Sequence, residues 1–281
     1  MSLKLMYITN KSDIARVAED AGVDWMFLDM EFIGKDARQG GLDTVQNHHT
    51  MKDIANIKAA VKKAKVLVRV NPIHEALPDY PSSRDEIDAS IKAGADILML
   101  PFFKTVEEVK QFIGYVNGRA KTLLLMETVE AANLVDEILE VSGIDMIHLG
   151  LNDMHLELGL KFMFELLANG TVEKLGNKIK TKGIPFGFGG IATIDGGELP
   201  GSMVLKEHVR LGSSMVIVSR SFCNTDIVTD LNEVKRIFDT GISGLRALEM
   251  EAAHADVAYL EENRKAVVAA VNKIAGTNYS V

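Results

Sequence analysis

Two short apolar runs, each closed by an acid and followed by a helix-forming stretch, limit what this chain can fold into. The first is LLLM before Glu127, with the amphipathic TVEAANLVDEILEV behind it; the second is DMIHLGLND, which closes at Asp153. A four-residue apolar run alone fits a buried strand or a helix fragment, and the amphipathic segment after it decides for the strand. Successive strand–helix units build a parallel sheet whose strand ends share one edge, the edge at which such folds bind ligands. Glu127 and Asp153 are therefore expected on the same edge. Hard carboxylate oxygens suit Mg2+ or Mn2+, with water or substrate oxygens completing the shell. Each acid taken singly also fits a solvated strand end or a helix cap.

The same alternation continues in both directions. Strands are predicted at Leu3 to Thr9, at DWMFLDM running into Glu31, at VLVRVNP with Arg69 near its end, at Ala95 to Pro101, at IPFGFGG and at SMVIVSRSF. Helices are predicted from Ser12 to a stop at Gly22, from Thr50 to Ala64, from Ser83 to Gly94 and from Thr105 to about Val116. Further helices are expected over Lys161 to Lys182, interrupted near Gly170, and over Val204 to Leu211. Eight strands separated by helices in 281 residues match the size and rhythm of one (β/α)8 TIM barrel. Two helices remain, near Ile227 to Phe238 and Gly244 to Ile274, and the second is longer than a barrel helix requires. The reading is one domain over 1–281 with a helical extension from about 244, whose later half is expected to pack on a neighbouring subunit.

Charge narrows the partners. The net charge is −8 and no basic run is present, which argues against nucleic acid and anionic membrane and favours a small soluble ligand. Cys223 is the only cysteine, so no intrachain disulfide can form, and the chain fits a reducing cytoplasm. The apolar runs are all shorter than the ~18 residues of a membrane span. Between Glu31 and Thr50 lies FIGKDARQGGLDTVQNHH, too long for an ordinary strand-to-helix loop and so a candidate functional loop. Gly187, Gly189 and Gly190 admit close backbone approach, as at a phosphate site, although Arg220 is the only cation expected nearby. Trp25 and the methionines are assigned to the core.

The segments METVEAANLVDEI and GIDMIHLGLNDMHLELG resemble the most characteristic part of the HpcH/HpaI aldolase and citrate lyase family. The likeness extends to VDWMFLDME, VLVRVNP and AGADILMLPFFKTVEEV, and so covers about Val23 to Phe222. It implies that Glu127 and Asp153 are the two metal ligands. It implies too that the backbone N–H groups of Gly150, Leu151 and Asn152 receive a substrate carboxylate. By resemblance the activity is aldol cleavage or condensation of a 2-oxo acid, pyruvate or a relative, with an aldehyde, in a homo-oligomer whose barrels exchange a C-terminal helix. The chemistry agrees: a divalent cation polarises the carbonyl and stabilises the enolate, and the forked guanidinium of Arg69 is suited to the same oxygen. Arg69 equally fits a structural pair with a strand-end acid.

The departures bear on proton transfer. The family pattern has Glu-His after the second strand, whereas this chain has Glu31-Phe32, and Phe carries no proton. Glu31 acting through water, or His48 or His49 from the long loop, is the expected replacement, against the plainer reading of two solvated histidines. The turn reads Gly-Leu-Asn-Asp instead of Gly-Pro-x-Asp, and His155 stands where a small or hydroxylated residue is usual. A CoA-ester lyase of the citrate lyase β type and a barrel that binds a metabolite without turnover remain as alternatives.

Overall fold

The computed structural model describes residues 2–35, 47 and 49–281. Its eight strands are β1 (Lys4–Ile8), β2 (Trp25–Asp29), β3 (Lys65–Arg69), β4 (Ile97–Leu100), β5 (Lys121–Met126), β6 (Met146–Leu149), β7 (Phe186–Ile191) and β8 (Met215–Val218). Each pairs in parallel with the next, and β8 returns to β1 through Lys4 opposite Met215, so the sheet closes as the expected barrel. A parallel sheet between a filled interior and a coat of helices buries both strand faces, which is why β2 and β4 are buried throughout.

Alternation along the strands sorts the apolar residues into two layers. Met6, Phe27, Leu67, Met99, Leu123, Leu125 and Met215 fill the inside of the barrel together with Trp25. The residues between them, such as Leu5, Met26, Val66, Leu98 and Leu124, face outward into the helix layer. On β2 the inward series Trp25, Phe27 continues to Asp29 at the strand's end.

The helices follow the cap chemistry of the sequence. The first, α1 (Ser12–Ala21), begins one residue earlier than Ser12 as its cap would give: Lys11 is the cap and Ser12 the first helical residue, and Gly22 ends it in the left-handed conformation. Next come α2 (Met51–Ala60), α3 (Ser83–Ala93) and α4 (Val106–Val116). Thr50 with Asp53 and Thr105 with Glu108 form reciprocal capping boxes on α2 and α4. Four short helices follow: α5 (Val129–Asn133), α6 (Val135–Ile138), α7 (Leu151–Glu157) and α8 (Glu165–Ala168). Then α9 (Thr171–Thr181) and α10 (Gly201–Leu211) flank β7.

The end of the chain departs most from expectation. The final helices are α11 (Leu231–His254) and α12 (Val257–Ala275), so the break falls at Ala255 and Asp256, beyond the expected position. Residues 239–243, expected between helices, continue α11: Ile242 is fully buried and Gly241 lies against the Phe222 ring. Asp256 caps the new helix through the Tyr259 N–H. Within the chain α12 buries Val267, Val268, Val271 and Ala275, and it lies on α8 and α10. Beyond it, the Tyr279 hydroxyl donates to Glu165 at 2.7 Å. The opposite carboxylate oxygen of Glu165 accepts the Lys161 and Phe162 N–H groups. No helix among the described residues is long and apolar enough to cross a membrane.

Glycine at 187 is demanded by packing. A Cβ there would lie 2.3 Å from the Met215 carbonyl oxygen and 2.8 Å from His148 Nδ1. Gly187→Ala is expected to cost roughly 2–4 kcal/mol through overpacking against backbone, measured as a lowered urea midpoint; an unchanged midpoint would show that β8 yields freely.

Candidate active site

The strand ends place most of the expected residues around one opening. A cavity of about 260 Å3 at the C-terminal mouth of the barrel is lined by Arg69 from β3, Glu127 after β5, Gly150 after β6, and Leu151, Asn152 and Asp153 from the first turn of α7. Its opposite wall is Ile217 and Arg220, and its floor includes His148. A larger groove of about 450 Å3 lies at the other end, around Lys121, Thr122 and Asp145. That groove holds a surface ion pair, Lys121 with Asp145. Enzymes of this fold work at the C-terminal face.

Glu127 is held in place by its surroundings. It is 3% exposed, and its Oε1 accepts the N–H of Phe102, a residue with φ of 46° that turns its amide toward the carboxylate. Opposite stands Gly150, where a Cβ would come within 2.6 Å of Glu127 Cβ and 2.9 Å of Oε2. With φ of −82° Gly150 is not in a glycine-only conformation, so the constraint is space for the carboxylate. Asp153 enters the same cavity one strand further round. Two carboxylates presenting oxygen donors to a common cavity match a hard divalent cation that keeps several water or substrate ligands. No group of three or more His, Cys, Asp or Glu side chains among the described residues forms a cage for a metal.

Arg69 is differently engaged from the expectation that its fork holds substrate. Its Nε and Nη2 each donate to Asp29, at 2.8 Å, in a bidentate pair between the ends of adjacent strands. Its Nη1 lies 3.4 Å from Glu31. Asp29 is fully buried and also accepts from Lys35 Nζ and Asn47 Nδ2, both at 3.1 Å. Burial alone would raise the Asp29 pKa, but Arg69, Lys35 and Asn47 outweigh it and hold the carboxyl far below the usual range. Burial likewise opposes charge on Arg69, and the neighbouring Asp29, Glu31 and Glu127 more than restore it. The plainer reading of Arg69, a strand-end ion pair, is thus the one observed, with the guanidinium still lining the cavity.

A family profile described as HpcH/HpaI aldolase/citrate lyase matches residues 4–166, more than half of the chain. The chain belongs to this family. Two solved structures share its fold: an HpcH/HpaI aldolase from Desulfitobacterium hafniense DCB-2, and an HpcH/HpaI aldolase/citrate lyase family protein from Burkholderia cenocepacia J2315. The first has 17% identity and a TM-score of 0.58 over 83% of this chain and 93% of that one. The second has 17% identity and a TM-score of 0.61 over 83% and 94%. At that identity the likeness carries the architecture alone.

In this family member the expected proton carriers occupy varied places. Glu31 is buried against Arg69 and against Lys35, whose Nζ is 3.6 Å away. His49 accepts the Asp29 N–H at its Nδ1 at 3.0 Å, so that nitrogen carries no proton and the ring braces the end of β2. His49 is not among the described residues that line the cavity. His48 lies outside the described residues. Phe32 is 40% exposed and stacks edge-on with Tyr80, its ring 4.8 Å away. Its N–H and that of Ile33 donate to Asn71 Oδ1, and Asn71 is fixed by the buried Glu86. Of the three amides expected to receive a carboxylate, Gly150 N–H is used by the barrel itself, donating to the Met126 carbonyl at 2.9 Å. Leu151 and Asn152 open α7, where first-turn amides have no acceptor within the helix.

Asp29, Lys35, Asn47 and His148 are the participants that motif reading missed. Strand alternation through Trp25 and Phe27 would have pointed Asp29 inward; nothing in the sequence marks Lys35 or Asn47 as returning to it. His148 was legible in the same way, two residues after the inward Met146. It is 1% exposed, its Nε2 lies 3.0 Å from the Gly189 carbonyl, and its Nδ1 has no hydrogen-bond partner among the described residues. Burial pushes its pKa down to about 4, and burial likewise depresses His208. Both rings are therefore neutral in the native state at neutral pH. As pH falls below the ordinary value near 6.5 the unfolded chain takes up protons that native His148 refuses until about 4. Stability is expected to drop across that window, His148 contributing roughly 2 kcal/mol by pH 5. Urea titrations at pH 7.5 and 5.0 should show a smaller difference for His148→Phe than for the parent chain; equal differences would refute the assignment.

Proposed function

We propose that this protein is a divalent-metal-dependent carbon–carbon lyase, cleaving or forming the aldol bond beside a 2-oxo acid such as pyruvate. The observation that carries the reading is the convergence of Glu127, Asp153 and Arg69 on one cavity in a chain of the HpcH/HpaI family.

Glu127 and Asp153 would hold Mg2+ or Mn2+, which when bound supplies Lewis-acid polarisation of the 2-oxo carbonyl and relieves charge on the enolate. The chain's own groups do the remainder. Arg69, immobilised by Asp29, offers a fixed positive charge toward the enolate side of the cavity, with no reorganisation needed as charge develops. The Leu151 and Asn152 amides orient the substrate carboxylate at the start of α7. Glu31 would accept the proton of the substrate hydroxyl through a water during cleavage and return it during condensation, with the Lys35 ammonium 3.6 Å away and lining the cavity to steady its charge. In this reading His49 has a supporting role, holding the strand end that carries Asp29.

Incubating the Mn2+-loaded protein with pyruvate in heavy water tests the enolisation half-reaction without an aldehyde. Exchange of the methyl protons is expected; its absence with every divalent ion would favour a barrel that binds without turnover. Glu127→Gln and Asp153→Asn should each abolish Mn2+ binding by titration calorimetry while circular dichroism stays unchanged. Full affinity in both variants would remove the ligand assignment. Arg69→Lys, which loses the fork as well as the delocalised charge, is expected to slow exchange by about 10²-fold or more.

A further inference from the structure

A second cavity, of about 320 Å3, adjoins the first and shares Met163 and Gly190 with it. It lies between the ends of β7 and β8, where their register shifts between Gly187 and Gly190. Phe162, Phe164, Ala192, Leu199 and Val204 form apolar walls, and the hydroxyls of Ser219 and Ser221 face it, 2.6 Å from each other. Among the described residues that line it, Glu198 is the only charged one.

In barrels of this architecture the loops after strands seven and eight, with a nearby helix N-terminus, often hold phosphate. Here the helix amides suited to that task are already used. The first-turn amides of α10 donate to loop carbonyls: Gly201 to Gly196, Ser202 to Ile194, and Met203 and Val204 to Pro200. The Ser219 N–H donates to Ile191. An anion entering this annex would meet apolar walls and the Glu198 carboxylate, with no cation among the described residues that line it to offset its desolvation; Arg220, between the two serines in sequence, lines the adjoining cavity instead. A neutral hydroxyl suits it better. Once one serine donates to the other, the pair retains one proton to donate and lone pairs to accept.

We infer that this annex receives the acceptor aldehyde, and that it selects a neutral, hydroxyl-bearing carbon chain over phosphorylated or carboxylated aldehydes. The inference rests on the lyase reading above for the word acceptor, and on the annex alone for the chemical class. Ser219 and Ser221 bind the chain's hydroxyl, the aromatic and aliphatic walls cover its carbon skeleton, and Glu198 disfavours anions. No bond is made or broken in the annex.

The experiment has two arms. In the first, the Mn2+-loaded enzyme is assayed for condensation of pyruvate with D-erythrose, D-glyceraldehyde 3-phosphate and succinic semialdehyde. A kcat/KM at least about tenfold higher for D-erythrose is expected, and Ser219→Ala/Ser221→Ala should raise KM for D-erythrose roughly tenfold with a much smaller change in kcat, as for a lost ground-state contact. In the second arm, saturation-transfer NMR compares D-threitol with glycerol 3-phosphate on the parent chain and the double variant, with circular dichroism confirming the fold. Threitol contact that the variant loses, with none for glycerol 3-phosphate, supports the annex even if no condensation occurs, in which case the lyase reading alone falls. Equal or better use of the anionic aldehydes, or a double variant indistinguishable from the parent in both arms, overturns the inference.

Discussion

The bidentate pair between Asp29 and Arg69 is the interaction on which the mouth of the barrel depends. Both groups sit at strand ends that the fold directs inward, above Phe27 and Leu67, where a lone charge would be prohibitively desolvated. Lys35 and Glu31 close around them, so two carboxylates and two cations balance. Breaking such a group by removing one member leaves an uncompensated buried charge, which costs about 3–5 kcal/mol. The neighbouring acids Glu127 and Asp153 line the same cavity, Glu127 close enough to favour the charge on Arg69.

Space is the second constraint, and glycine supplies it. At the rim, Gly150 makes room for the Glu127 carboxylate; in the floor, Gly187 makes room for the His148 ring. The two positions are neighbours across β6 and β7, since His148 pairs with Gly187 two residues before Gly150. One stripe of missing side chains thus serves both the polar rim and a neutral imidazole below it. The sheet registers that fix this stripe are set far from the site, by apolar residues that choose inside or outside of the barrel.

Much of this was legible in the sequence because periodicity carries it. Eight apolar runs with helical intervals specify a closed parallel barrel, and acids at the ends of two of them specify an edge. Pattern could not reveal partnership. Arg69 reads equally as a substrate ligand or a strand-end ion pair until Asp29 is seen to fill its fork. The Gly150 amide reads as an available donor until the register with β5 commits it to Met126. The final helices were misdivided because the glycines at 241 and 244 look like a break, whereas close packing on Phe222 and Ile194 favours glycine within a continuous helix. Lys35 and Asn47 meet Asp29 from outside the strands, where there is no period to read.

The Tyr279 hydroxyl on Glu165 gives the C-terminal region a reach that its sequence position hides. Glu165 gathers the amides of Lys161 and Phe162, so the short segment carrying Phe162 and Phe164 is fastened from more than a hundred residues away. Those two rings wall the annex beside the metal-ligand candidates. The shape of a pocket built by the middle of the chain is therefore set partly by its tail: a change around residue 279 reaches the walls of that pocket through one carboxylate, without the tail lining it.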